Sequence, residues 1–288
     1  MELLNSLQER PRKVLVKRFG LRGGKSYTLD AIGKEFGITR ERVRQIEKTA
    51  FTSLRKKAKS DDLQQAENFV YDTLKKGGGF LDRGSLKRAV FGKRINLKQR
   101  NQLAFLFNSL GKLHYQKDTI PFSGVWYLSF AKREVGQLKN FNEKLVNYFQ
   151  KEKRVLKFSE IKKAILNGDL GEEFKKMLQG EKGEEKLKVV LSGSKLIGKN
   201  IMGEWGLLSW SIVSQKYVKE RALLILRKEK QPLHFRELTE LINKQWQDKR
   251  TLPQTVHNVI IKYEEFIFVK PGTYTVIWSK EDTAIKNR

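Results

Sequence analysis

The run from Thr28 to Leu54 leaves the chain little conformational choice. Leu29, Ile32 and Phe36 recur at helical spacing. Gly37 then supplies the positive-φ residue that a tight turn needs, and Ile38 follows as a plug for the corner between two helices. Thr39 stands where an N-cap is required, and beyond it Val43, Ile46, Ala50 and Leu54 form one apolar stripe. The pattern is a helix-turn-helix. The opposite face of its second helix carries Arg40, Glu41, Arg44, Gln45 and Lys48.

Those residue types suit the major groove. Arg can fork onto guanine O6 and N7, Glu can accept from cytosine N4, and Gln can pair with adenine. Arg42 and Lys48 are better placed for phosphates. The plainer alternative is a surface helix with a solvated charged face. A solvated helix, however, mixes its charges at salt-bridging distance. This one concentrates Arg at its N-terminal end, where the helix dipole disfavours cations unless an anion is near, and that cost points to a polyanionic partner.

Residues 39–47, TRERVRQIE, with the preceding TLDAIGKEFGI and the upstream VLVKRFGLRGG, closely resemble region 4 of the sigma-70 family of bacterial transcription initiation factors. The resemblance covers about the first 60 residues. It implies that the second helix enters the major groove of the upstream (minus-35) promoter element. Arg40, Glu41, Arg44 and Gln45 would then read bases, with Thr39 and Arg42 on the backbone, and the preceding helices would hold the flap of the RNA polymerase β subunit. No segment resembles sigma region 2, which holds the polymerase clamp and melts promoter DNA. The chain is therefore not expected to direct initiation alone.

Charge agrees with a polyanionic partner. Across 288 residues, 59 Lys and Arg stand against 32 Asp and Glu, a formal net charge of +27. The excess is densest over residues 1–60, with 16 basic and 6 acidic residues. A basic membrane-surface protein is the rival reading, but no apolar run approaches the ~18 residues of a span and no signal peptide opens the chain. A cytoplasmic, nucleoid-associated protein is expected. Zero cysteines exclude disulfides, Cys-ligated zinc and thiol catalysis.

Residues 1–27 read as two short helices around Pro11, with Val14, Leu15 and Phe19 inward and Gly20 as a stop. A boundary is expected near residue 60. Beyond it one layout recurs three times: an amphipathic helix, a second helix, a third apolar helix, then a polar-tipped hairpin closing on Gly and an aromatic. The closing strands begin at Gly124, Gly203 and Gly272, and the alternating strands before them run through Lys112–Tyr115, Lys195–Ile197 and Phe266–Val269. This is the pattern of a winged helix. The fold expected is mainly α with small β wings. Its segments are 1–60 (helix-turn-helix), 61–130, 137–213 and 214–280 (winged helices) and a tail, 281–288.

The second and third repeats resemble the HARE winged-helix domain known from the delta subunit of bacterial RNA polymerase, through Trp205-Gly206-Leu207-Leu208-Ser209-Trp210 and Gln231-Pro232-Leu233-His234-Phe235-Arg236-Glu237-Leu238. The first repeat keeps the layout but not the wording. Lys98 and Arg100, Lys186 and Lys188, and Gln254, His257, Asn258 and Lys262 lie on the three third helices, a mixture that leaves protein docking and DNA contact both open.

No catalytic site emerges. Gly193 to Lys199 spells G-x-x-x-x-G-K, but Asn200 replaces the required Ser or Thr and the loop follows a helix instead of a strand. Gly77-Gly78-Gly79 reads as a helix stop and flexible loop, and His114, His234 and His257 are too scattered for a metal or a triad. The chain is read as a non-enzyme without cofactor, metal or small-molecule substrate. Two functions compete: a transcription initiation or regulatory factor reading promoter DNA with RNA polymerase as partner, or an architectural scaffold binding DNA with little sequence preference. Glu41 discriminates between them, because a purely phosphate-driven binder has no use for a carboxylate facing the groove.

Overall fold

Helices and three small antiparallel sheets make up the protein, in a computed structural model that describes residues 2–57, 61–92, 96–110, 112–119 and 121–276. The boundary expected near residue 60 and the tail 281–288 lie outside the described residues.

The chain opens with α1 (Glu2–Asn5) and α2 (Glu9–Phe19). The break between them falls at Ser6–Gln8, and Pro11 sits in the first turn of α2, where a missing N–H leaves nothing unpaired. Next come α3 (Leu29–Phe36), α4 (Arg40–Lys57) and α5 (Asp61–Lys76). The first winged-helix repeat continues with β1 (Phe80–Asp82), α6 (Arg83–Phe91), α7 (Leu97–Ser109), β2 (His114–Gln116) and β3 (Val125–Tyr127). Its sheet runs β1-β3-β2, with Trp126 opposite both Leu81 and Tyr115.

The second repeat brings α8 (Lys132–Glu152), α9 (Phe158–Asn167), α10 (Glu172–Gln179), α11 (Gly183–Gly193), β4 (Ile197–Lys199) and β5 (Trp205–Leu207). The layout anticipated three helices here, and the short α10 is a fourth. After α12 (Ser211–Ser214), the third repeat consists of α13 (Val218–Glu229), β6 (Leu233–His234), α14 (Phe235–Gln245), α15 (Pro253–Lys262), β7 (Phe266–Lys270) and β8 (Thr273–Val276), with sheet order β6-β8-β7.

Two compact units result, one from Met1–Phe141 with Lys176–Gly193, the other from Asn142–Lys175 with Ser194–Arg288. In the first, Val14, Ile32 and Val43 close one core cluster, and Leu4, Leu15, Leu21, Ala50, Phe51, Leu54 and Phe105 close another. Each such side chain taken fully out of water contributes about 1.5–3 kcal/mol before conformational entropy is charged against it. The Gly77–Gly79 segment is not a flexible loop. Gly78 and Gly79 are buried with φ of 83° and 96°, and a Cβ on Gly79 would approach the Phe130 ring to 2.5 Å.

In the second unit, Leu226, Leu233, Leu238, Ile242, Val256, Ile260 and Phe266 pack around Tyr274. Arg221 is only 4% exposed, yet its guanidinium is satisfied by the carbonyls of Gln215, Lys216 and Lys249, each at 3.0 Å. Three neutral acceptors thereby hold down two loops. His234 and His257, far apart in sequence, both stack against one ring: each centroid is 4.6 Å from that of Phe235. No group of three or more metal-ligating side chains occurs among the described residues. Nor is any described helix long and apolar enough to cross a membrane.

Candidate nucleic-acid interface

The geometry of α3 and α4 follows from their end residues. Thr28 Oγ1 accepts from Ala31 N–H at 3.1 Å and starts α3. Gly37, at φ 64°, ends it by donating to Gly33 O. Ile38 N–H also reaches Gly33 O, at 2.9 Å, and Thr39 Oγ1 accepts from Arg42 N–H at 3.2 Å to start α4. Gly33 lets the corner close, since a Cβ there would meet Ile38 O at 2.7 Å. Ile32 and Val43 are fully buried, with Leu29, Phe36, Ile38 and Ile46 packed around them.

Burying that stripe turns the opposite face outward. Thr39, Arg40, Glu41, Arg42, Arg44, Gln45 and Lys48 are all exposed on the first three turns of α4. They are not idle in solvent. Arg44 donates to both oxygens of Glu41, at 2.8 and 2.6 Å, and Arg42 Nη1 donates to Gln45 Oε1 at 3.2 Å. The hydrogen bond from Arg44, helped by its charge and that of Arg40, holds the Glu41 carboxyl below the usual carboxylate range, and the same bond raises Arg44. The expectation that arginines crowd this end without salt-bridging partners is therefore corrected for Arg44. The i,i+3 spacing lets Glu41 offset its charge, so part of the dipole argument for a polyanion falls away.

Behind the face lies a pair that the periodicity does not single out. Arg18 of α2 lies 3.7 Å from Glu47 of α4 and donates to Tyr27 O at 2.9 Å, tying the loop before α3 to both helices. Burial pushes the Glu47 carboxyl up, against the pull of Arg18. On α2 a cleft of about 480 Å³ opens, lined by Leu4, Val16, Arg12, Arg22, Lys25 and Tyr27 among others. Its mixture of apolar and cationic lining joins residues that no sequence pattern connects.

The G-x-x-x-x-G-K run forms no phosphate cradle. Gly193 ends a helix, the next element is the strand β4, and the N–H groups of Leu196 and Ile197 both donate to Ser194 Oγ at 3.1 Å.

A buried stripe, a glycine turn and an outward polar face define a helix-turn-helix. Comparison with known proteins places it more closely. Residues 3–56 match the family model described as sigma-70, region 4, and residues 216–278 match the HARE-HTH model, described as an ASXL and restriction endonuclease HTH domain. Relatives are the RNA polymerase sigma factor SigA of Clostridium acetobutylicum, 48% identical over 64 residues, and SigA of a Bacillus species, 48% identical over 63. RNA polymerase sigma factor sigB of Arabidopsis thaliana is 45% identical over 64 residues. Each match takes in 22% of this chain, but only 17%, 17% and 11% of the respective relative. The chain thus carries a sigma-70 region 4 helix-turn-helix at its N-terminal end and a HARE-type winged helix over α13 to β8.

Proposed function

We propose that the protein is a transcription initiation or regulatory factor that reads duplex promoter DNA through α4 and associates with RNA polymerase. The observation that carries this reading is the exposure of Thr39, Arg40, Glu41, Arg42, Arg44, Gln45 and Lys48 on one face of a helix whose other face is buried. Arg40, Glu41, Arg44 and Gln45 take the base-reading roles, Glu41 and Arg44 exchanging their mutual hydrogen bonds for base edges. Thr39, Arg42 and Lys48 take the phosphates. The cleft on α2 supports a protein partner for the same module, since its apolar residues suit side chains that a phosphate backbone lacks. The role proposed is binding, without catalysis, in the cytoplasm on the nucleoid.

The full chain should bind a minus-35-type duplex more tightly than a scrambled duplex of equal length at fixed salt, and tagged protein should retain polymerase core subunits after nuclease treatment. Equal binding to both duplexes with no core subunits retained defeats the proposal.

The scaffold reading draws on a separate observation. The net charge of +27 spreads beyond α4, which favours phosphate contact without preference. It predicts that Glu41→Ala and Lys48→Ala act alike on specific and random DNA.

A further inference from the structure

Two of the helices that stand third in their repeats are already occupied within the first compact unit. α7 is packed on two sides. Leu103, Phe107 and Leu110 are buried, with Phe107 edge-on to Trp126 at 5.2 Å between ring centroids. On the other side Phe105 joins the core of the helix-turn-helix, its ring centroid 5.9 Å from those of both Phe19 and Phe51. One turn earlier Asn101, 8% exposed, donates its side-chain amide to Gly20 O at 3.3 Å and Gly24 O at 3.2 Å. From α4, Arg55 reaches Asn108 O at 2.8 Å.

α11 is held in the same manner by the first repeat. Leu187, Val190 and Leu191 are buried, and Lys186 Nζ donates to Glu134 at 2.9 Å. Ser192 Oγ donates to Asp82 Oδ2 at 3.1 Å, and Gly193 O accepts from Ser123 N–H at 2.8 Å.

A major groove about 12 Å wide admits a helix only along an unobstructed side, because a helix with its side chains is itself about 10–12 Å across. α4 keeps such a side; α7 leaves only Leu97, Lys98, Arg100 and Gln102 well exposed, all near its N-terminal end. We infer that the third helices of the first two repeats are protein-docking helices turned inward on the chain itself. α7 grips the helix-turn-helix, α11 grips the first repeat, and base contact in this unit passes through α4 alone. The last clause rests on the duplex contact proposed above, whereas the docking does not.

Two measurements on the full chain test the parts separately. In fluorescence anisotropy with a promoter duplex, Lys98→Ala with Arg100→Ala should stay within about twofold of wild type and keep its salt slope, while Lys48→Ala flattens that slope by about one unit. A loss with the double variant equal to that with Lys48→Ala overturns the assignment of α7. Without DNA, Asn101→Ala should speed amide hydrogen exchange about five- to tenfold across the end of α2 and the loop after it, and the milder Phe105→Leu should do the same. Unchanged exchange in both variants overturns the docking. A wild-type chain that ignores the duplex sinks the proposed function, and the exchange result still decides the docking.

Discussion

Glu41 and Arg44, one turn apart on the exposed side of α4, are joined by two hydrogen bonds of 2.6 and 2.8 Å. Any base edge that either residue reads has to break or share this pair. Selectivity then becomes a matter of exchange: a correct base replaces the bonds that are given up, and a wrong one leaves a charge short of a partner.

Glu41→Ala should therefore relax sequence preference more than it lowers affinity. Discrimination of about five- to 150-fold at one base pair is expected to vanish, with Arg44 freed for unselective phosphate contact. Competition binding against single-base variants of the duplex measures it. An unaltered preference ranking would remove Glu41 from the readout.

The acid limb of that preference follows from the same pair. Arg44 holds the folded-state Glu41 carboxyl below its ordinary value of 4.5, so the charged form persists as pH falls through the ordinary carboxylate range. Preference should be constant from neutrality down to about pH 4.5 and fail only below it. Binding profiles that already change between neutral pH and that point contradict the pairing.

Lys48→Ala should weaken specific and random duplexes by equal factors and make the slope of log affinity against log salt shallower by about one unit. A loss confined to the specific duplex would move Lys48 from phosphate to base contact.

Gly37→Ala isolates the turn. A Cβ at Gly37 meets nothing within 4 Å, so the cost is that of holding an L-residue at φ 64°, about 1–2 kcal/mol. Thermal or denaturant unfolding reads it directly. No destabilisation would mean that the turn relaxes to another conformation.

Glu134 and Lys186 make stability depend on pH. Burial pushes the Glu134 carboxyl up, but the Lys186 hydrogen bond, a backbone hydrogen bond and the charges of Lys186 and Arg133 outweigh it and leave the carboxyl below 4.5. A depressed folded-state pKa gives stability that is present above the unfolded value and lost as pH falls through the folded one. Glu134→Gln should cost about 1–3 kcal/mol at neutral pH. It should also lose less Tm than wild type as pH drops below about 4.5. Parallel Tm curves for the two proteins would deny the linkage.

The reading helix is legible in the sequence because its evidence is local. The period of Val43, Ile46, Ala50 and Leu54, the turn at Gly37 and the cap at Thr39 all lie within a few residues of what they control. The winged repeats are legible through their strand alternation and closing glycines. The Glu41–Arg44 pair is not, since helical spacing permits such contacts without selecting the rotamers that make them. Asn101, Phe105 and Ser192 act on partners far away in sequence, and nothing in their own neighbourhoods marks them. Gly79 defeats a linear reading because a glycine that admits a ring looks, in one dimension, like a glycine that bends.

The ring trio of Phe19, Phe51 and Phe105 limits how this molecule can be dissected or inherited. A fragment cut after Lys57 would leave two phenyl groups without their cover and invite self-association. Recombination can therefore move the reading head to a new host in working order only as a piece that runs through Ser109, or with a substitute aromatic already waiting there.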